Sequence, residues 1–246
     1  MRTEIIYEDK ELLVIRKPAG LATQSAGVGQ ADVVSELKNY LARTGGGKGQ
    51  PYLGIIHRLD QPVEGLLVFA KNKNAAAALT KQLGGQENSG LLNKQYYAVF
   101  CGKPSEKEGV LVDYMYKGPD GKAVIVAQDS HIHNSCGDTA AKRAVLRYEV
   151  LQTVQISTGD VLSLADIHIE TGRFHQIRAQ MANAGMALLG DVKYGDEKTK
   201  ECSVKLGVGT VALCAYKLSL IHPVSGKTLC FERKPETKGF SFFPLS

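Results

Sequence analysis

The sequence contains no tryptophan, and its five cysteines (101, 136, 202, 214 and 230) are odd in number and form no CxxC pair. Such a set argues against a disulfide framework or a zinc site and for reduced thiols in a cytoplasmic protein. No stretch approaches the ~20 apolar residues that cross a bilayer as a helix, so no membrane association is expected. The opening segment, MRTEIIYEDKELLVI, is interrupted by acidic side chains and lacks the apolar centre of a secretion signal. No proline- or serine-rich linker divides the chain, and no internal repeat is evident. Nucleotide and metal motifs are missing as well. GGGKGQ (45–50) lacks the GxxxxGK[ST] spacing and a preceding apolar strand, and reads as a connector. HIH (131–133) would put two histidines on one strand face with no third ligand in view, which reads as a surface strand. No metal and no cofactor are expected.

What remains is an ordinary globular composition. The 246 residues are 43% hydrophobic and 22% charged, with a net charge of +5 and ten tyrosines. That length supports a sizeable core. The mild positive balance permits a polyanionic partner without demanding one.

The patterning places strands at both ends and through the middle. EIIYEDKELLVIRKPAG reads as two short strands with a turn at Glu8–Lys10 and a closing Pro-Ala-Gly turn. ADVVSELKNYLART (31–44) has Val34, Leu37 and Leu41 at helical spacing, and NKNAAAALTKQL (72–83) reads as a second helix. NKQYYAVFCG (93–102) reads as a strand, and from 109 to 169 the chain is mostly β. GRFHQIRAQMANAG (172–185) reads as a helix with Ile177, Met181 and Ala184 as its apolar stripe and Gly185 as its stop. TVALCAYKLSLIHP and KTLCFERKP form a last strand pair. The expectation is one α+β domain over 1–246, dominated by sheet, with few helices.

Two stretches carry chemistry. In IIHRLDQPVEGLLVFAK (55–71), Asp60 stands at the mouth of an apolar strand, two residues from Arg58. Alone, this suits either a turn ion pair or a reactive carboxylate, since both perturb titration. In 172–185, Arg173, His175 and Arg178 gather near a helix start, where N–H groups and the dipole favour phosphates. A solvated basic face is the equal alternative there.

The order HRLD, GLLVFAK, KQYYAVFCG, TGRFHQIR, GDVKYG and ALCAYKLSLIHPVSGKTLCF resembles that of the RluA-type RNA pseudouridine synthases, over nearly the whole chain. The resemblance implies the pseudouridine synthase fold, a mostly antiparallel mixed sheet with few flanking helices, without the auxiliary RNA-binding domain that precedes some relatives. It implies isomerisation of specific uridines in ribosomal or transfer RNA, by a cytoplasmic enzyme expected to be monomeric. The catalytic aspartate falls on Asp60, the active-site tyrosine on Tyr96, and the aspartate's basic partner on Arg178. Arg58 matches the arginine used near the displaced base. With it, His57, Arg173, His175 and Gln176 are the expected RNA-binding residues.

The chain departs from the family's usual HRLDxxT[ST]G at Val63 and Glu64, and from HQIRVH at Ala179 and Gln180. A carboxylate at 64 would repel a phosphate if it faced the RNA. The chemistry suits the matched residues. The N1–C1′ bond breaks, the base turns, and C5 joins C1′. An ionised Asp either attacks C1′ or takes the C2′ proton, and a nearby Arg favours that ionised form. Two other functions compete: a glycosidic hydrolase, for which Glu64 is the one candidate second carboxylate, and an RNA-binding protein without activity.

Overall fold

The computed structural model describes the chain apart from residues 26, 28, 46–48, 84–91, 128–132, 135, 136, 139, 140 and 246. The middle of the GGGKGQ connector and the first two residues of HIH therefore lie outside the described residues. In chain order the elements are β1 (Glu4–Glu8), β2 (Leu12–Lys17), α1 (Val33–Thr44), β3 (Gly54–Ile55), β4 (Glu64–Ala70), α2 (Lys73–Leu83), β5 (Asn93–Cys101) and β6 (Glu108–Lys117). They continue with β7 (Ala123–Val126), β8 (His133–Asn134), β9 (Gly137–Asp138), β10 (Lys142–Gln155), β11 (Val161–Ile169), α3 (Gln176–Asn183), α4 (Glu197–Leu206), β12 (Leu213–Ile221) and β13 (Thr228–Glu232). The class is α+β, with strands predominating. No described helix is long and apolar enough to cross a membrane.

The residues fall into two compact units, Met1–Gln95 with Cys214–Pro235 and Tyr96–Leu213 with Glu236–Ser246. In the first unit the strands run β1-β2-β4-β12, with β13 on β12 and β3 on β4. β2 and β4 are buried throughout, which is why Leu12–Ile15 and Leu66–Ala70 are unbroken apolar runs rather than alternating ones. Leu12 and Val14 of β2, Leu66, Val68 and Ala70 of β4, and Leu218 and Leu220 of β12 share one core with Ala75 and Leu79 of α2. Each fully buried leucine contributes roughly 1.5–3 kcal/mol. Asn72 starts α2 by accepting the Ala75 N–H at 2.9 Å, and Asp32 caps α1 through the Ser35 N–H at 2.7 Å, as small polar residues do at helix starts.

One glycine decides where β4 meets β12. They run parallel, with Glu64 beside Cys214 and Gly65 beside Ala215. Gly65 has φ +130°, and a Cβ there would lie 2.5 Å from the Ala215 backbone N and O. No other residue allows that approach.

In the second unit β5, β11, β10, β6 and β7 follow one another, with antiparallel β11-β10, β10-β6 and β6-β7 pairs. α3 lies on this sheet, where Ala179 packs with Met115, Ala123 and Ala144. Two expectations need correction. The helix read over 172–185 begins only at Gln176, because His175 holds φ 52° and breaks the helical path. Arg173 therefore precedes the helix, and Ala184 of the expected stripe is exposed. α4 is the second difference, a helix absent from the sequence reading. Its buried residues are Thr199, Cys202 and Ser203, too weakly apolar to show a stripe. Its cap, Asp196 bonded to the Thr199 N–H at 2.7 Å, and its left-handed stop at Gly207 were the available signals.

Candidate active site

In the first unit, Asp60 sits half-buried in the turn that leads into β4. The turn closes with the Val63 N–H donating to Asp60 O at 3.0 Å. Segment 17–23 grips the residues on either side. Thr23 Oγ1 donates to Leu59 O at 2.9 Å and accepts the Leu59 N–H at 3.3 Å. After the aspartate, Gln61 O accepts from Gly20 N at 2.9 Å and from Lys17 Nζ at 3.0 Å.

The neighbouring motif residues divide by exposure. Arg58 is exposed and so is open to a ligand. His57 is buried, and its Nε2 accepts a long 3.4 Å bond from the Val68 N–H of β4. β4 pairs with β12 at residues 64–65 and with β3 at 69–70, so the imidazole serves a strand N–H between the two ladders. Burial, and then the charge of Lys94, hold its pKa well below the ordinary histidine value. The ring is therefore neutral, with its proton on Nδ1.

Glu64 does not present its charge to a ligand. It is 2% exposed, and its Oε2 accepts from Arg16 Nη2 at 2.9 Å. The condition under which it would repel a phosphate is therefore not met. Val63, Ala179 and Gln180, the other departures from the family pattern, are also buried. Gln180 Nε2 donates to Asp113 Oδ2 at 2.7 Å.

In the second unit, Arg178 is buried on α3 and held in a two-bond fork by Asp191. Nε donates to Oδ2 and Nη2 to Oδ1, each at 2.7 Å. Asp191 Oδ1 also accepts the N–H groups of Lys193 at 2.9 Å and Tyr194 at 3.1 Å. The loop is placed by β5. Leu189 N donates to Val99 O at 2.8 Å, and Gly190 then turns with φ +77° where a Cβ would meet Thr210 O at 2.2 Å. Asp191 escaped the sequence reading, although GDVKYG stood among the resembling motifs.

Tyr194 ties the same loop to the helix start. Its ring lies 5.1 Å from the Arg178 guanidinium carbon, and its hydroxyl accepts the Ala123 N–H at 2.6 Å. The same hydroxyl is hydrogen-bonded with His175 Nδ1 at 2.7 Å. His175 stacks on Phe174 with ring centres 3.7 Å apart. Gln176 is buried, and both ends of its amide are used. Oε1 accepts from Thr171 Oγ1 at 2.8 Å and Arg173 N at 2.9 Å, while Nε2 donates to Val145 O at 3.0 Å. Arg173 Nε donates to Arg143 O at 2.9 Å, which orients a half-exposed guanidinium. Tyr96 is 5% exposed and shares a strand face with Ala98 and Phe100, whereas Tyr97 is half-buried. Among the described residues no three His, Cys, Asp or Glu side chains gather as metal ligands.

The profile of the RNA pseudouridylate synthase family matches residues 11–183. The chain is 34% identical over 233 residues to ribosomal large subunit pseudouridine synthase D of Zymomonas mobilis, covering 93% of this chain and 68% of that one. It is 30% identical over 230 residues to tRNA pseudouridine synthase C of Haemophilus ducreyi, covering 91% and 87%. The solved structure of human RNA pseudouridylate synthase domain containing 4 aligns over 96% of this chain and 91% of its own, with a TM-score of 0.70 and 25% identity. The chain belongs to the RluA-type RNA pseudouridine synthases, isomerases that act on RNA.

Proposed function

We propose that this protein converts uridine to pseudouridine in ribosomal or transfer RNA, with Asp60 as the reacting carboxylate. The observation that carries this reading is the held turn at Asp60, where the peptide groups before and after a half-exposed aspartate are both fixed from segment 17–23. The two relatives named above, one a ribosomal and one a transfer RNA enzyme, support the substrate class.

In the proposed reaction the Asp60 carboxylate attacks C1′ or removes the C2′ proton, and the N1–C1′ bond breaks with its electron pair leaving on the uracil. The base turns and its C5 bonds to C1′, either as the Asp60–C1′ ester breaks and frees the carboxylate or as C2′ regains the proton that Asp60 took. The C5 proton then leaves, N1 takes up a proton, and the ring is restored. Tyr96 assists that last proton transfer, and Arg178, oriented by Asp191, supplies the catalytic cation. Arg58, Arg173 and His175 are the proposed RNA contacts, because a uridine must leave its stack to react and cations or ring faces replace its neighbours. The side chains of His57 and Gln176 bond within the protein, so these two act by shaping the segments that carry Asp60 and Arg178.

Hydrolysis of the glycosidic bond would use a second carboxylate. Glu64, its one candidate, is buried against Arg16. RNA transcripts labelled with tritium at C5 of uridine test the proposal. Release of tritium with RNA mass otherwise unchanged is expected. Free uracil would identify a hydrolase, and intact label would mean a binding protein.

A further inference from the structure

We propose that Lys17 and Thr23 are positioning residues for Asp60, and that Glu64 sustains their clamp by keeping the Lys17 ammonium charged. This rests on Asp60 being the reacting carboxylate.

Lys17 ends β2 and is wholly buried, an unusual place for a lysine. Its Nζ donates to Leu21 O at 2.6 Å and to Pro18 O and Gln61 O at 3.0 Å each. Thr23, 3% exposed, holds both backbone groups of Leu59 with one hydroxyl. The residues immediately before and after Asp60 are thus fixed by one segment, and the carboxylate projects from between them. A misplacement of about 1 Å at a reacting group can cost about 10²-fold in rate.

The clamp depends on charge. An ammonium has three N–H donors, and three carbonyls occupy them. A neutral amine has two, so one carbonyl must lose its donor. Burial pushes the Lys17 pKa down to about 7, the charges of Asp60 and Glu64 oppose that fall, and Arg2 adds to it. Arg16, next in the chain, is paired with Glu64 at 2.9 Å. Across the β2–β4 pair Lys17 lies opposite Gly65, which sets Glu64, bonded to Arg16, one residue from the position facing Lys17; at 64 the family pattern usually has Ser or Thr.

The test is single-turnover tritium release by the full chain as a function of pH. The wild-type rate is expected to fall as pH rises past about 7, where Lys17 loses its proton. Lys17→Met is expected to lower the rate roughly 100-fold with RNA KM changed less than about threefold, and to abolish that alkaline limb. The double variant Arg16→Gln/Glu64→Gln removes a charge pair together and avoids leaving either partner alone. It is expected to shift the limb of kcat/KM toward acid by roughly one pH unit, which a merely structural role would not do. If Lys17→Met fails to fold, that shift decides. An unmoved limb in the double variant, or near-wild-type turnover in a folded Lys17→Met, overturns the inference. Asp60→Asn run alongside separates the two failures. If it is active, the Asp60 reading is wrong; if it is inactive while these variants behave as wild type, only the clamp is wrong.

Discussion

Arg178 and Asp191 meet through two parallel hydrogen bonds of 2.7 Å in a buried setting, thirteen residues apart and joined across a helix and a glycine-turned loop. This pairing fixes the plane of the guanidinium before any RNA arrives. Removal of Asp191 would take both of these charged hydrogen bonds from Arg178, a cost of about 3 kcal/mol or more. Asp191→Ala should therefore lower the unfolding free energy measured in urea by about that amount and also slow turnover. Unchanged stability would show that the fork is not held as described.

Arg178→Lys should also be harmful despite keeping the charge, because an ammonium cannot make the two coplanar bonds. A loss in the chemical step, with RNA affinity within a few-fold of wild type, is expected in single-turnover assays. Equal activity of Lys and Arg at 178 would contradict a role for the fork.

Gly65→Ala should destabilise the fold by about 3 kcal/mol or more. The new Cβ would lie 2.5 Å from the Ala215 backbone N and O, at a φ of +130° that L-residues rarely adopt. Denaturant unfolding measures this directly. A loss under about 1 kcal/mol would mean that β4 and β12 can separate freely.

His57 gives a pH dependence of known sign. Burial depresses its pKa in the folded protein below the ordinary value of 6.5, so on acidification the unfolded chain takes up the proton first. Its contribution is complete above about pH 6.5 and is lost as pH falls toward the depressed folded value. His57→Gln, which keeps an acceptor for the Val68 N–H, should flatten the stability profile on the acid side. An unchanged slope would show that His57 does not remain neutral.

Tyr96 and Tyr97 should separate in function. Tyr96 shares one strand face with Ala98 and Phe100 and Tyr97 shares the other with Val99, as strand alternation requires. Tyr96→Phe should retain RNA binding and lose about 10²–10⁴ in the late proton step, whereas Tyr97→Phe should be nearly silent. Equal losses, measured by tritium release, would reverse the assignment.

Much of this fold is legible because its signals are local. β2 and β4 announce themselves as apolar runs, and Asp32 and Gly45 bracket α1 within the sequence. The misread features depend on distant partners or on weak chemistry. The start of α3 moved to Gln176 because His175 takes a left-handed conformation in a helix-compatible sequence. α4 stayed hidden because it buries Thr199, Cys202 and Ser203 rather than large apolar residues. Asp60 and Arg178 were found through resembling motifs. Lys17 was passed over because one of its carbonyls is 44 residues away. The burial of Glu64 was not legible because Arg16, its partner, is 48 residues distant.

The most direct measurement is single-turnover tritium release by Asp60→Asn under conditions that saturate the wild-type protein with RNA. An amide keeps the shape of the side chain but can neither attack C1′ nor take the C2′ proton. The variant is expected to fold, to bind RNA with wild-type affinity and to release no tritium above background. Appreciable release by a folded Asp60→Asn would contradict the assignment of Asp60 as the reacting group.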